Sequence, residues 1–368
     1  MVFGRVMVLF ALTSMALPVW ALDWRLEAQF EATRQDALAS PLPLVEAEPF
    51  SWQQRYDLSL RDSGVGLDLR LEQDGYRDSR TEWTVRQAYY DGALLDYELT
   101  VGQKHLHWDY GFLASPLNWV GPADGRSDTL ADPLISVQRF RGVNVDQSVC
   151  TLRLEEQQEI CLVRTQGFAG SLDWQLAAGY QEGWQFGAGA SWVFGPRWEY
   201  HGAATWFEKA LRQQYKSGVL SKEFDSAWDV LLGFSTSGQG GWQLLFEHHL
   251  DSRALSADDW SRLLQDMDGD QQATPAEALA PAWQGKPLSA NRSLFRVTQQ
   301  WRDWDFTGTA VGFWVEWPTL LLELEASYGW TQNTRWSLGW QSTPASGMLG
   351  RIGQSNAYTL GFNWVIAP

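Results

Sequence analysis

The chain has 368 residues and a formal net charge of −16 at pH 7, which disfavours nucleic acid as a partner because phosphate binding needs a cationic surface. Its 23 tryptophans far exceed ordinary usage, yet its mean hydropathy is −0.30. A transmembrane β-barrel reconciles these observations, because a polar lumen face lowers the mean hydropathy while the outer face stays apolar.

The first 21 residues have the features of an export signal. Arg5 supplies one cation, an apolar run follows over 6–17, and small or apolar residues precede Leu22. This pattern predicts a signal peptide over 1–21 that is removed on export. No later stretch offers the roughly twenty consecutive apolar residues that a membrane helix needs.

Most of the remaining chain alternates apolar and polar residues. The alternation is clear over 50–61, where only Gln54 breaks it, and it recurs over 24–31, 67–72 and 184–194. Segments of about ten residues with this period, capped by aromatics, are typical of membrane barrels. We therefore predict an all-β fold, a single antiparallel transmembrane barrel over 22–368.

Eighteen segments fit the pattern, or 16 if a short hairpin that carries both cysteines stands outside the wall. Both numbers are even, as in bacterial single-chain barrels. The short links are expected on the periplasmic side, at 62–64, 92–93, 195–196 and 237–241. The long links are expected outside the cell, at 34–49, 107–134, 208–225 and 251–290.

Cys150 and Cys161 flank a hairpin whose predicted turn lies near 155–158. The two thiols could face each other across its strands, and in an oxidising periplasm we expect a disulfide. Two cysteines cannot build a cysteine-rich metal site, and without a Cys-x-x-Cys pair a redox role is not indicated.

The end of the chain, residues 359–366, reads Thr-Leu-Gly-Phe-Asn-Trp-Val-Ile. It resembles the C-terminal signal of Gram-negative outer-membrane barrels, although this chain continues to Ala367 and Pro368. The resemblance implies a porin-like protein of the cell outer membrane, surrounded by its lipid and recognised during biogenesis by the barrel assembly machinery. It leaves the subfamily open, and a homo-oligomer is possible.

Assigning the polar face of each strand to the lumen places many charges inside. Arg55, Arg70 and Arg86 on consecutive strands would form a basic ladder opposite a mainly acidic remainder. Such a lining could select solutes electrostatically, or the charges could pair across strands and fill the lumen. The predicted pore-lining residues are Arg55, Asp57, Asp68, Arg70, Glu82, Arg86, Glu98, Arg296, Glu323 and Glu325.

The long loop over 107–132 is rich in aromatic and charged residues. The stretch from Gly102 to Gly111 is similar to one found in porin-like and exopolysaccharide-export barrels, where a loop folds into the channel. The alternative is an ordinary surface lid. By the resemblance, a constriction would be lined by Asp109, Tyr110, Asn118, Asp124 and Arg126.

Within the outer loop 251–290, residues 266–277 place oxygen ligands at positions 1, 3, 5, 9 and 12 of a twelve-residue frame, which resembles an EF-hand calcium loop. Ser256 and the apolar spacing after it predict an entering helix. Gln271 stands where the family has glycine. The resemblance implies calcium as a possible stabilising ion, held by Asp266, Asp268, Asp270, Gln272, Thr274 and Glu277.

No serine motif accompanies the histidine pairs His105/His107 and His248/His249, so we do not expect an enzyme. The function predicted is a porin-like channel for passive diffusion of small hydrophilic solutes or sugars. Two alternatives stay open: a barrel for export or assembly of a polysaccharide, and a plugged barrel that serves as an envelope scaffold.

Overall fold

The computed structural model describes residues 23–35, 50–75, 80–106, 108, 110–120, 131–153, 158–268, 288–314, 318–342 and 357–366. Its strands are β1 (Asp23–Gln35), β2 (Phe50–Asp62), β3 (Val65–Gly75), β4 (Arg80–Leu94), β5 (Tyr97–Gln103), β6 (Pro133–Arg141), β7 (Asn144–Arg153), β8 (Gln158–Ala169), β9 (Leu172–Gln181), β10 (Gly183–Phe194), β11 (Trp198–Lys216), β12 (Val219–Ser237), β13 (Trp242–Asp251), β14 (Asn291–Trp301), β15 (Trp304–Trp314), β16 (Pro318–Thr331), β17 (Thr334–Ser342) and β18 (Ala357–Ile366).

These strands form one closed barrel. Each pairs antiparallel with its neighbours in sequence, and β1 closes the sheet by pairing with both β2 and β18. The predicted fold class is therefore confirmed, with 18 strands. The alternative of 16 is wrong, because the cysteine hairpin, β7 and β8, is part of the wall.

The barrel wall is apolar outside and polar or small inside. On β10, Trp184 and Trp192 are exposed outward, whereas Gln185 and Ser191 face inward and are buried. The two tryptophans are eight residues apart, roughly 26 Å along the strand and about 20 Å along the axis at a typical tilt. That spacing is close to the height of an apolar membrane band between two aromatic girdles.

One end of the barrel, the turn rim, holds Asp23, Ile366 and the short turns at 63–64, 95–96, 142–143, 170–171, 195–197, 238–241, 302–303 and 332–333. The opposite end is the loop rim. The turn predicted at 92–93 is displaced to 95–96, where Leu95 adopts a φ of 57°.

The predicted outer loop 208–225 is wrong. β11 and β12 continue through it as a hairpin that turns at 217–218, after a bulge between Phe207 and Ala210. On one face of this extension the polar pair Gln213 and Lys222 separates the apolar pairs Leu211/Phe224 and Tyr215/Leu220, so the apolar alternation is interrupted there.

A single helix, α1 (Ala257–Asp268), follows β13 in the described part of the chain. Ser256 and Asp259 cap it reciprocally. The backbone N–H of Asp259 donates to the Ser256 hydroxyl at 3.1 Å, and the Ser256 backbone N–H donates to the Asp259 carboxylate at 3.2 Å, which satisfies two donors of the helix start. Among the described residues, no helix is long and apolar enough to cross a membrane.

The structure joins Cys150 and Cys161 in a disulfide between β7 and β8. The two residues are in register, with their Cα atoms 4.1 Å apart. They stand near the loop rim and alternate with the inward-facing residues Val149 and Leu162, so the bridge lies on the outer side of the wall.

Candidate functional site

The chain turns into the barrel after β5. The residues described there, 104–106, 108 and 110–120, form what we call the inner segment. Its apolar side chains Trp108, Leu117, Trp119 and Val120 are buried. They form one cluster with side chains of the inner wall from β6 to β11, namely Leu134, Val149, Ile160, Leu162, Ala177 and Ala203.

The wall leaves room for this segment by carrying small residues. A Cβ atom on Gly187 would lie 2.2 Å from Cδ2 of Leu117 and 2.9 Å from Cζ2 of Trp119. A larger side chain at that position would therefore displace the inner segment from the wall.

Polar contacts with β9 and β11 also hold the inner segment in place. The hydroxyl of Thr205 donates to the carbonyl of Pro116 at 2.6 Å, and the Gln175 amide donates to the carbonyl of Trp108 at 2.7 Å. The hydroxyl of Tyr110 donates to Asp173 at 2.8 Å. These bonds satisfy backbone carbonyls and a hydroxyl that the fold places inside the barrel.

Glu247 of β13 holds the tip of the inner segment. Its side chain is fully buried and accepts the backbone N–H groups of Phe112, at 2.8 Å, and of Leu113. Nε2 of His201 lies 2.9 Å from the same carboxylate. The sequence placed Glu247 on the inner face, but its partners lie 135 and 46 residues earlier in the chain and gave no local signal.

A second buried group lies toward the loop rim. Nε2 of His249 is 2.7 Å from Asp229, while Nδ1 of His249 accepts from Nε of Arg292 at 3.1 Å. Because the guanidinium can only donate, the imidazole is neutral with its proton on Nε2. Arg253 bridges the carboxylates of Asp229 and Asp251. Burial alone would lower the pKa of Arg253, but these two carboxylates outweigh it and raise that pKa.

Asp229, His249 and Asp251 are residue types that could hold a metal ion, and their ligand atoms lie within 4.8 Å of one another. However, both nitrogens of His249 and both carboxylates already bond to protein partners. The arginines supply the positive charge that a cation would bring. The arrangement fits an ion-paired network that joins the wall to the start of the outer loop.

On the opposite wall, the predicted arginines alternate with acids. Arg70 is in register with Asp57 and binds it at 2.7 and 3.1 Å, and Arg86 lies 3.5 Å from the same carboxylate. Arg55 is in register with Glu72, at 3.8 Å. The prediction of a basic ladder is therefore wrong, because a carboxylate lies beside each of these arginines, in register for Arg55 and Arg70 and two strands away for Arg86.

Other predicted lining residues differ in their surroundings. Asp68 accepts from Arg61 at 2.9 Å and from Gln87 at 2.6 Å, so it is paired. Glu98 accepts from Gln138, and Glu82 is exposed opposite Glu72.

Glu323 and Glu325 of β16 are the open charges of the inner face. They lie in register with Thr309 and Thr307, on the same face as Arg296. Both side chains are exposed, and within the described chain neither takes part in an ion pair.

Arg296 contacts the inner segment. Its guanidinium lies 4.4 Å from the centre of the Phe112 ring, and 58% of Phe112 is exposed.

Of the predicted constriction residues, Tyr110 lies in the inner segment, while Asn118 is 7% exposed and so is packed away from the lumen. Asp109, Asp124 and Arg126 lie outside the described residues.

Helix α1 lies at the mouth of the barrel. Trp260, Leu263 and Leu264 pack against Phe313 of β15 and Tyr215 of the β11–β12 extension. Val311 and Leu321, which are inward-facing, pack against the same cluster. The helix is therefore held against the inner wall near the loop rim.

The predicted calcium ligands are described only in part. Asp266 lies on α1 and accepts from the Tyr215 hydroxyl at 2.9 Å, and Asp268 is the last residue of the helix. Asp270, Gln272, Thr274 and Glu277 lie outside the described residues.

On the outer wall, His248 and Ser293 lie next to each other although they are 45 residues apart in the sequence. Nδ1 of His248 lies 2.8 Å from the hydroxyl of Ser293, its in-register neighbour. Among the described residues, no hydrogen bond reaches Nε2 of His248, so the group that orients the histidine of a catalytic triad is lacking.

Comparisons with known proteins identify the fold. No family model and no curated protein sequence matches the chain. Pseudomonas aeruginosa OccK8 (OprE) matches with a TM-score of 0.57 and 9% identity, over 94% of this chain and 98% of that one. Acinetobacter baumannii OccAB4 matches with a TM-score of 0.58 and 10% identity, over 96% and 100%.

A third similar structure is that of Escherichia coli Wzi. Escherichia coli Wzi is described as an outer-membrane protein involved in group 1 capsule assembly and as a carbohydrate-binding β-barrel. It matches with a TM-score of 0.57 and 12% identity, over 97% of this chain and 87% of Wzi. At these identities the three similarities show a shared outer-membrane barrel fold.

Proposed function

We propose that the protein is an outer-membrane channel for passive diffusion of small hydrophilic solutes. The observation that carries the proposal is the exposure of Glu323 and Glu325, which point into a closed barrel. An inward-facing carboxylate can be solvated only by water inside the lumen, because a buried unpaired charge is very costly. A fully plugged scaffold would not leave these two side chains exposed.

The inner segment and α1 would set the width of this channel. Among the described residues, the inner segment covers the wall from β6 to β13, so the uncovered inner wall lies along β14–β18 and β1–β4. Arg296 and Phe112 border it on one side, with Glu323 and Glu325 beyond them. Because the arginines of β2–β4 are paired with acids, the unpaired carboxylates would give the lumen a preference for cations.

The test is single-channel recording of the refolded protein in a planar bilayer under a salt gradient. We expect discrete conductance steps with a reversal potential shifted toward cations, and Glu323→Gln with Glu325→Gln should move that potential toward zero. Glu182→Gln, in an exposed turn at the loop rim, is the matched control and should change it little. A correctly refolded barrel that passes no current would contradict the channel proposal.

Calcium at 266–277 is a further part of the proposal, and the same recordings address it. Its support is the ligand pattern together with the position of Asp266 on α1 at the mouth. Conductance is therefore recorded with calcium and again after chelation. A change that Asp270→Ala abolishes would link the ion to this segment, whereas identical traces would remove calcium from the channel.

A sugar or polysaccharide as the transported molecule is the second candidate. It is favoured by Phe112, an exposed aromatic ring that borders the lumen, because aromatic faces can stack on sugar rings. The neighbour Wzi, described as carbohydrate-binding, adds weak support. In the bilayer, a neutral oligosaccharide that blocks the current of the wild type but not of Phe112→Ala would favour this candidate over a general channel.

A further inference from the structure

A shallow groove lies on the outer wall across β5 to β9. Its volume of about 580 Å³ is within the range of pockets that hold small molecules. Its outward-facing lining residues include Tyr97, Arg139, Ser148, Val163, Leu176 and Ala178. These residues alternate along their strands with inward-facing ones, such as the buried Val149 and Ala177. The groove is therefore separate from the lumen.

The groove is polar near the turn rim and apolar deeper in the wall. Arg139 stands three residues from the turn at 142–143, the same separation that the girdle residue Trp192 has from the turn at 195–197. Val163 and Ala178 each stand seven residues from the turn at 170–171. Four further residues correspond to about 10 Å along the barrel axis at a typical strand tilt. The apolar end thus lies within the hydrocarbon, and Arg139 lies at the level of the headgroups.

The guanidinium of Arg139 has unused hydrogen-bond donors. It lies 5.5 Å from the centre of the Tyr97 ring and 4.0 Å from the carboxylate of Asp96, and within the described chain it makes no hydrogen bond. Asp146, its in-register neighbour, is already bound by Arg141 at 2.8 Å. Because a guanidinium carries five N–H donors, Arg139 can bind a further acceptor beside the groove.

Asp96 places the opposite charge next to this arginine. Its side chain, in the turn at 95–96, is 82% exposed, and the two charges are 4.0 Å apart. Such an exposed ion pair is weak, because water screens it. Both groups are therefore open to a ligand that carries a negative and a positive charge close together. A phosphate joined to an ammonium by a short linker has this pattern, whereas a simple anion would be repelled by Asp96.

Small residues form the floor of the groove. Ser148 lies in register with Val137 and Val163, and Ala178 lies on the other side of Val163. The spaces that these two small side chains leave between larger apolar neighbours suit an acyl chain, which gains dispersion contacts there. The Ser148 side chain is exposed, and no described residue bonds to its hydroxyl. On a lipid-facing wall, the partner of that hydroxyl must come from the lipid.

We propose that this groove binds a phospholipid whose headgroup carries a primary ammonium, such as phosphatidylethanolamine. The phosphate accepts from Arg139, and the ammonium donates to Asp96. One acyl chain lies over Ser148 and Ala178 toward Leu176, and the Ser148 hydroxyl donates to an ester carbonyl of the lipid. The proposal rests on the barrel spanning a membrane and does not depend on whether the lumen conducts.

The test is native mass spectrometry of the refolded full-length barrel in detergent, titrated with dioleoyl lipids that differ in the headgroup. Phosphatidylglycerol lacks the ammonium, and dioleoylglycerol lacks the phosphate as well. We expect the wild type to bind phosphatidylethanolamine about tenfold more tightly than dioleoylglycerol and severalfold more tightly than phosphatidylglycerol. Equal binding of the three lipids by the wild type would overturn the proposal.

Two variants test the headgroup contacts. Arg139→Gln should weaken the binding of phosphatidylethanolamine about tenfold, to the level of dioleoylglycerol. Asp96→Asn should remove the preference for phosphatidylethanolamine over phosphatidylglycerol. The matched control is Arg302→Gln, because Arg302 is also a turn-rim arginine beside an aromatic ring, 5.4 Å from that of Trp301, but lies away from the groove. It should bind all three lipids like the wild type.

Ser148→Leu tests the groove itself, because it fills the floor without changing any charge. We expect a severalfold loss of phosphatidylethanolamine binding. Ala326→Leu, on the outer wall between Phe306 and Leu338, is its control and should cause no loss. Folding is checked by the heat-dependent gel shift of closed barrels, and Ser148→Leu decides the test if Arg139→Gln does not fold. Wild-type binding by the folded variants would overturn the proposal. So would a wild-type dimer that Ser148→Leu abolishes and lipid does not dissociate, because a second copy would then fill the groove.

Discussion

Gly187 and Glu247 act in different ways at the surface between the inner segment and the wall. Gly187 leaves the space into which Leu117 and Trp119 pack. Glu247 supplies the carboxylate that two backbone N–H groups of the segment require once they leave water. The segment is therefore held by shape on one side and by hydrogen bonds on the other.

The shape requirement can be tested with Gly187→Val. Valine suits a strand, but its side chain would overlap the buried Leu117 and Trp119, and overpacking of this kind costs about 1–3 kcal/mol. We expect the inner segment to leave the wall and the single-channel conductance to rise. Gly308→Val is the control, because a Cβ on that outward residue lies 3.4 Å from Cδ2 of Leu324. Unchanged conductance of a folded Gly187→Val barrel would show that the segment does not narrow the pore.

For these residues, the sequence predicted which face of the strand they occupy but not which groups they contact. Alternation along β13 predicted that Glu247 faces inward, since residues of one parity share a face. It could not predict that the carboxylate binds the amides of residues 112 and 113, because that contact depends on how a long loop folds back. The same applies to His248 and Ser293, whose pairing needs the register between β13 and β14.

For helix α1, too, the sequence predicted the element but not its position in the barrel. Ser256 and the apolar spacing after it predicted the helix, because capping and amphipathicity are local properties. Its position at the mouth depends on Phe313, Val311 and Leu321. Their inward apolar side chains make the inner wall of β15 and β16, near the loop rim, a docking surface for the helix.

Trp260→Ala tests whether α1 restricts the mouth. The indole is 1% exposed and donates to the carbonyl of Leu288 at 2.9 Å, and truncation of a buried tryptophan typically costs about 3–5 kcal/mol. We expect the helix to detach while the barrel stays closed, giving faster protease cleavage within 257–268 and a higher conductance. Gln265→Ala, on the exposed face of the helix, should leave both readouts unchanged. A Trp260→Ala protein as resistant as the wild type would refute a docked helix.

The closed barrel was the most predictable feature of the molecule. Lipid outside and water inside impose a period of two on every strand, and this signal adds up over the whole chain. This alternation is weaker beyond the membrane, where water surrounds both faces of a strand. In the β11–β12 extension, the polar pair Gln213 and Lys222 interrupts the apolar residues of one face, and the segment was interpreted as a loop. The sequence left open whether the lumen charges pair, because their pairing follows from register and from the bulge in β4 beside Asp68 and Leu69.

The position of the membrane on the barrel gives the last prediction. Ala188 lies on the outer face of β10, midway between the aromatic residues Trp184 and Phe186 on one side and Trp192 and Phe194 on the other. An arginine at the midplane of the apolar band costs about 2–4 kcal/mol, and one outside the band costs about 0–1 kcal/mol. Ala188→Arg should therefore lower the free energy of unfolding in lipid vesicles, measured by denaturant titration, by the larger amount. Val219→Arg, at the exposed tip of the β11–β12 extension, should change it little. Equal losses for the two variants would contradict a membrane band centred between these girdles.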